Sequence, residues 1–133
     1  MLFRSADPSF ASTPRLAVAS VSTANTNRDG TGTIATVLTA GSSGTLVTQI
    51  SVQATGDPAD GIVTIFLHDG TTAWLFDEID HDNPAAASTT VAGYRTTRTY
   101  SNLVIPSGWS VRAACTVALT SGVYNVFVHG ADL

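Results

Sequence analysis

The chain has no lysine, one glutamate, one cysteine and one methionine among its 133 residues. A single cysteine, Cys115, excludes any disulfide within the chain, and its apolar surroundings read as those of a buried, inert thiol. The positive charge is six arginines, scattered at Arg4, Arg15, Arg28, Arg95, Arg98 and Arg112. No basic stripe results, so nucleic-acid binding has no electrostatic footing. No apolar run reaches the length of a membrane span, and the opening Met1 to Pro8 lacks the apolar core of a signal peptide. The expectation is a soluble chain made in the cytoplasm, with no membrane partner. Charged residues are 12% of the total, about half the usual share, and apolar residues are 44%, a balance opposed to disorder. Lysine depletion has two readings. A GC-rich genome replaces Lys with Arg throughout, and protein interfaces disfavour the strongly hydrated ammonium while favouring guanidinium.

What is present is hydroxyl and β-branched: twenty threonines and thirteen serines accompany short valine-rich runs of alternating polarity. Period-2 alternation closed by Gly, Pro and Asp turns predicts an all-β domain built from hairpins. The spacing predicts strands over residues 15–22, 33–40, 45–55, 62–68, 73–79, 91–100, 109–118 and 123–129. Residues 101–105 either extend or bend the sixth. In the third, Leu46, Ile50, Val52 and Ala54 share one face, opposite Val47, Gln49, Ser51 and Gln53. In the fifth, Trp74 and Phe76 share a face opposite Leu75, Asp77 and Ile79. The fourth, nearly all apolar, reads as a central strand buried on both sides. Turns fall at Gly41–Gly44, Gly56–Gly61, Asp69–Thr72, Pro106–Gly108 and Thr120–Gly122. About eight strands make an antiparallel β-sandwich, for which a jelly roll and an immunoglobulin-like sandwich are the two fits. The strand count favours the jelly roll, and the Cys–Trp–Cys pattern of immunoglobulin domains is missing. Residues 1–14, broken by Pro8 and Pro14, read as an extended arm, and residues 15–133 as one domain large enough to fold without metal or disulfide.

Few constellations carry chemistry. Asn25-Thr26-Asn27-Arg28-Asp29-Gly30 has the outline of half a calcium loop, but it opens on Asn and has Thr36 where the closing Glu belongs. A polar β-loop using left-handed Asn, Asp and Gly is the better reading. Asp77-Glu78-Ile79-Asp80-His81-Asp82 is the densest charged stretch and reads as a solvated acidic loop, with a basic patch on a partner as the alternative. His68, His81 and His129 have no metal spacing, and no Gly-x-Ser-x-Gly elbow exists. No catalytic residue, metal or cofactor is therefore assigned. Trp74 and Trp109 read as core anchors. Tyr94, Arg98 and Tyr100, alternating along one strand, form a candidate ligand face for a sugar. In the arm, Leu2, Phe3 and Phe10 are candidate partner contacts.

Three stretches carry a resemblance that covers most of the chain from residue 13 onward. They are Thr13–Ala19 running into Ser22–Gly32 (STANTNRDGTG), Gly61–Thr71 (GIVTIFLHDGT) and Leu103–Ala113 (LVIPSGWSVRA). They resemble small all-β structural proteins of tailed bacteriophages and prophages, of the capsid decoration or cement type. None of these stretches is catalytic. The resemblance implies a non-enzymatic virion protein on the capsid exterior. Its partners would be the major capsid protein and further copies of itself, as a homotrimer. Low charge, absent lysine and an aromatic arm agree with such a role. A tail or fibre-tip component that binds host glycan is the alternative within a virion. A free-standing carbohydrate-binding module is the alternative outside it.

Overall fold

The computed structural model describes residues 11–81 and 85–133, with His81 described by its backbone alone. Eight strands, and no helix among these residues, form two four-stranded antiparallel sheets, a β-sandwich. They are β1 (Thr13–Val21), β2 (Ala35–Thr39), β3 (Thr45–Ala54), β4 (Gly61–His68), β5 (Ala73–His81), β6 (Arg95–Ile105), β7 (Ser110–Cys115) and β8 (Tyr124–Asp132). One sheet has the order β1-β8-β3-β6 and the other β2-β7-β4-β5. β1 begins at Thr13, and the amide of Ser12 already donates to the Asp132 carbonyl at 2.8 Å. Thr13 and Pro14, read from sequence as arm, are therefore the start of the domain. Pro14 is tolerated because β1 is an edge strand. The remainder of the expected arm, with Leu2, Phe3 and Phe10, lies outside the described residues.

The expectation of hairpins requires correction. Consecutive strands pair only at β4–β5, across the turn in which Asp69 N–H donates to Thr72 O at 3.1 Å. The turns at 41–44, 106–108 and 120–122 carry the chain from one sheet to the other. The pairs β3–β6, β2–β7 and β1–β8 nest outward from that hairpin, and β3–β8 and β4–β7 complete the two sheets. Turn residues reverse a chain; they do not choose its partner.

Two bulges shift the phase that strict alternation predicts. In β3 the register slips between Val47 and Gln49 against both neighbours. Val47, not Leu46, is thereby turned into the core with Ile50, Val52 and Ala54. An extra residue at Thr48 inverts the alternation on either side of it. In β5 the extra residue is Phe76, between Asp77 (opposite Ile65) and Leu75 (opposite Phe66). Leu75 is therefore on the other face from Asp77 and Ile79. Trp74 is half-exposed and stacks on Trp109 with centroids 5.7 Å apart, so it caps one end of the sandwich and does not anchor its centre. β6 runs on through residues 101–105 with Asn102 left-handed at φ 57°, whereas β7 stops at Cys115 and leaves Val117 exposed.

The core lies between the sheets and includes Val47, Ile50, Val52, Val63, Ile65, Ile79, Ile105, Val111, Ala113, Tyr124, Val126 and Val128. Phe66 is fully buried yet outside this cluster, because alternation in β4 points it away from the core. The β1–β2 connection, residues 22–34, runs over that outer face. Ala24 bridges to Cys115, Arg28 pairs with Glu78, and Gly30 lies so close to Ala73 that an added Cβ would meet its Cβ at 2.5 Å. This loop explains why β4 is buried on both sides, as expected, although the layer beyond it is not a sheet.

Candidate functional site

Tyr94, Arg98 and Tyr100 are brought together at the start of β6, on the side that faces β5. Tyr100 Oη donates to Asp77 Oδ2 at 2.8 Å, and Arg98 Nε lies 3.3 Å from the same oxygen. Arg98 Nη2 donates to the Glu78 carbonyl at 2.8 Å, and Tyr94 Oη to the Asp80 carbonyl at 3.1 Å. The three side chains thus close one open side of the sandwich. Burial, and then the hydrogen bond to Asp77, hold the Tyr100 phenol well above its ordinary pKa of 10.0. Burial also raises Tyr94.

A second clamp closes the opposite side. Arg15 on β1 donates through Nη1 to both carboxylate oxygens of Asp132 (2.9 and 3.1 Å) and through Nη2 to the Thr39 carbonyl on β2 at 3.1 Å. Thr45 Oγ1 donates to Asp132 Oδ1 at 2.6 Å. That hydroxyl, followed by Arg15, lowers the Asp132 pKa below its ordinary value.

The acidic stretch is strand as far as His81, which corrects the expected solvated loop. Asp77 is held by Tyr100 and Arg98, and Glu78 by Arg28. Asp82 lies outside the described residues. The half calcium loop is organised by its own side chains. Buried Asn25 donates through Nδ2 to the Thr31 and Thr33 carbonyls (2.9 and 3.1 Å) and accepts from the Asn27 amide at 3.0 Å. Asp29 Oδ1 accepts from both the amide and the hydroxyl of Thr31, which lower its pKa. Among the described residues, no three His, Cys, Asp or Glu side chains gather as a metal site. His68 accepts at Nδ1 from the Gly70 amide at 2.9 Å, inside its turn. Burial raises the Cys115 thiol pKa.

The feature that sequence reasoning missed is the outer face of the β1-β8-β3-β6 sheet. The register lays four rows across all four strands. The first, at the end where the chain enters β1, is Pro14, Ala131, Leu46 and Val104. The second is Leu16, His129, Gln49 and Thr99. The third is Val18, Phe127, Ser51 and Thr97, and the last Ser20, Asn125, Gln53 and Arg95. The first row is wholly apolar. The second and third mix apolar and polar groups, the last is wholly polar, and between them lies a shallow cavity of about 300 Å³, lined by Leu16, Ser51, Gln53, Arg95, Phe127 and His129. Within it, Gln49 Nε2 donates to Ser51 Oγ at 3.0 Å. Ser51 Oγ lies 3.3 Å from Thr97 Oγ1 and 3.5 Å from His129 Nε2. The rings of Phe127 and His129 are 6.4 Å apart and tilted by 41°. The outward alternation of β3 and β8 is visible in the sequence, but that β8 lies between β1 and β3 is not. No protein-family model, curated protein or solved structure matches the chain.

Proposed function

We propose that this chain is a non-enzymatic structural protein of a phage virion, a capsid decoration protein on the shell exterior that binds between major capsid subunits as a homotrimer. The nested strand pairs, β4–β5 innermost and β1–β8 outermost, support the jelly-roll reading, a long antiparallel ribbon rolled into two sheets. The observation that carries the docking role is the apolar row Pro14–Ala131–Leu46–Val104, set where the preceding segment joins β1. The exposed Trp74 stands at the same end of the sandwich. Arg15, Arg28 and Arg98 are each neutralised within the chain, so a Thr-, Ser- and Val-rich surface desolvates at low cost. Leu2, Phe3 and Phe10 then extend the contact onto a neighbouring subunit. Binding only the assembled shell stabilises it by mass action, and an arm contact adds avidity.

Imaging of virions that carry the protein tests this. Density arrayed over the shell at threefold or sixfold positions is expected; density confined to the tail would overturn the capsid assignment. Deleting residues 1–12 is expected to weaken shell binding while leaving the thermal transition in place, and normal decoration by the truncated protein would refute the arm's role. The cavity on the outer sheet face favours a second reading, a glycan-binding component of the tail or fibre tip.

A further inference from the structure

We infer that the cavity on the β1-β8-β3-β6 face binds an acidic sugar, a pyranose carrying a carboxylate. The inference does not depend on where the protein sits in a virion. At about 300 Å³ the cavity is at the small end of ligand sites, a size for one sugar unit and not for a protein segment. Phe127 and Leu16 line it with apolar surface, and an aromatic ring is a platform for the C–H face of a pyranose. Ser51, Gln53 and His129 add polar groups beside that platform.

The charge pattern selects among sugars. Arg95, in the row nearest the start of β6, is exposed and makes no hydrogen bond or ion pair among the described residues. This sets it apart from Arg15, Arg28 and Arg98, each engaged by a carboxylate. None of the sixteen positions in the four rows is Asp or Glu, in a chain whose net charge is −4. Hydroxyls of a neutral sugar donate as well as accept, and a carboxylate in the site would best receive them; the face offers none. A ligand carboxylate only accepts, and it matches the fork of an unpartnered guanidinium. The face therefore suits an acceptor-rich anion with an apolar flank.

The test is an amide-resolved NMR titration of the full chain with glucuronic acid and N-acetylneuraminic acid. Glucose serves as the neutral control, and acetate and inorganic phosphate as anions without a sugar ring. Saturable shifts at Ser51, Gln53, Phe127 and His129 are expected with at least one acidic sugar, with glucose at least about tenfold weaker. Arg95→Gln is expected to weaken the acidic sugar by about tenfold, and Phe127→Leu to weaken it with the fold retained. Arg28→Gln, outside the cavity, is expected to bind as the parent does. No saturable shift with either acidic sugar, or unchanged binding by Arg95→Gln, would overturn the proposal. Acetate or phosphate binding as tightly as the sugars would also overturn it, since the ring would then contribute nothing.

Discussion

Tyr100 shows how one side chain serves two sheets. Its ring packs partly against the core and 5.5 Å from that of Phe76, while its hydroxyl donates to Asp77 across the gap between β6 and β5. Tyr100→Phe removes that donor and leaves Asp77 to Arg98, so a loss of about 1 kcal/mol in a denaturant titration is expected. The phenols also report on alkaline stability. All three tyrosines, Tyr94, Tyr100 and Tyr124, have pKa values raised above 10.0, and burial is the largest cause for each. A raised acid keeps its neutral form in the folded state, so its stabilisation is complete below the unfolded pKa of about 10 and is lost as pH rises past it. Phenolate absorbance is expected to rise together with loss of the fold, above the ordinary tyrosine midpoint. A full-amplitude titration centred at 10.0 in folded protein would contradict this.

At the scale of the strand, the bulges decide what each residue does. Gly130 stands opposite Val47 at the β3 bulge, and a Cβ there would lie 2.0 Å from the Leu46 carbonyl oxygen. Backbone is in the way, not a side chain that could swing aside. Gly130→Ala is therefore expected to cost about 3 kcal/mol or to disrupt β3–β8 pairing, read as a lowered denaturation midpoint. A neutral effect would mean that the strands separate there at no cost. The same bulges limit what was legible in advance. Strand existence and type were readable from alternation, and seven of the eight starts differ from the observed ones by no more than two residues. The exception is β6, which begins at Arg95 after a non-strand stretch from residue 85. The side that Leu46, Val47 and Leu75 face was not readable, because one inserted residue inverts the pattern without a mark in composition.

Across the whole molecule, two polar clamps hold the sheets together at their sides while the apolar core fills the middle. The Arg15–Asp132–Thr45 clamp joins β1, β8, β3 and β2, and so ties the first strand to the last. Asp132 has a lowered pKa, as do Asp29 and Asp69, the latter through the Thr72 and Thr71 amides. A depressed carboxylate contributes stability that is present above its ordinary value of 3.8 and is lost as pH falls through the folded value. The stability gap between the parent and Asp132→Asn is expected to be constant from pH 7 to about 5 and to shrink below about 4. Chemical denaturation at three pH values measures it, and a gap that widens in acid would contradict the sign.

The sequence by itself determined the class: alternating β-branched runs between turn residues cannot bury their apolar sides except as a layered β structure. It also determined that Cys115 has no disulfide partner in the chain. Tertiary structure decided which strands neighbour one another, and with that the sites. Tyr94, Arg98 and Tyr100 alternate plainly in sequence, yet they meet β5 and are spent on closing the sandwich. Arg95, Gln53, Ser51, Phe127 and Leu16 come from four separate strands and share a face only because β8 inserts between β1 and β3. Periodicity along a chain specifies which side of its own strand a residue occupies. The contacts across strands depend on loop closures and bulges that couple residues far apart in the chain, such as Arg15 and Asp132, 117 positions apart, and no local pattern encodes them.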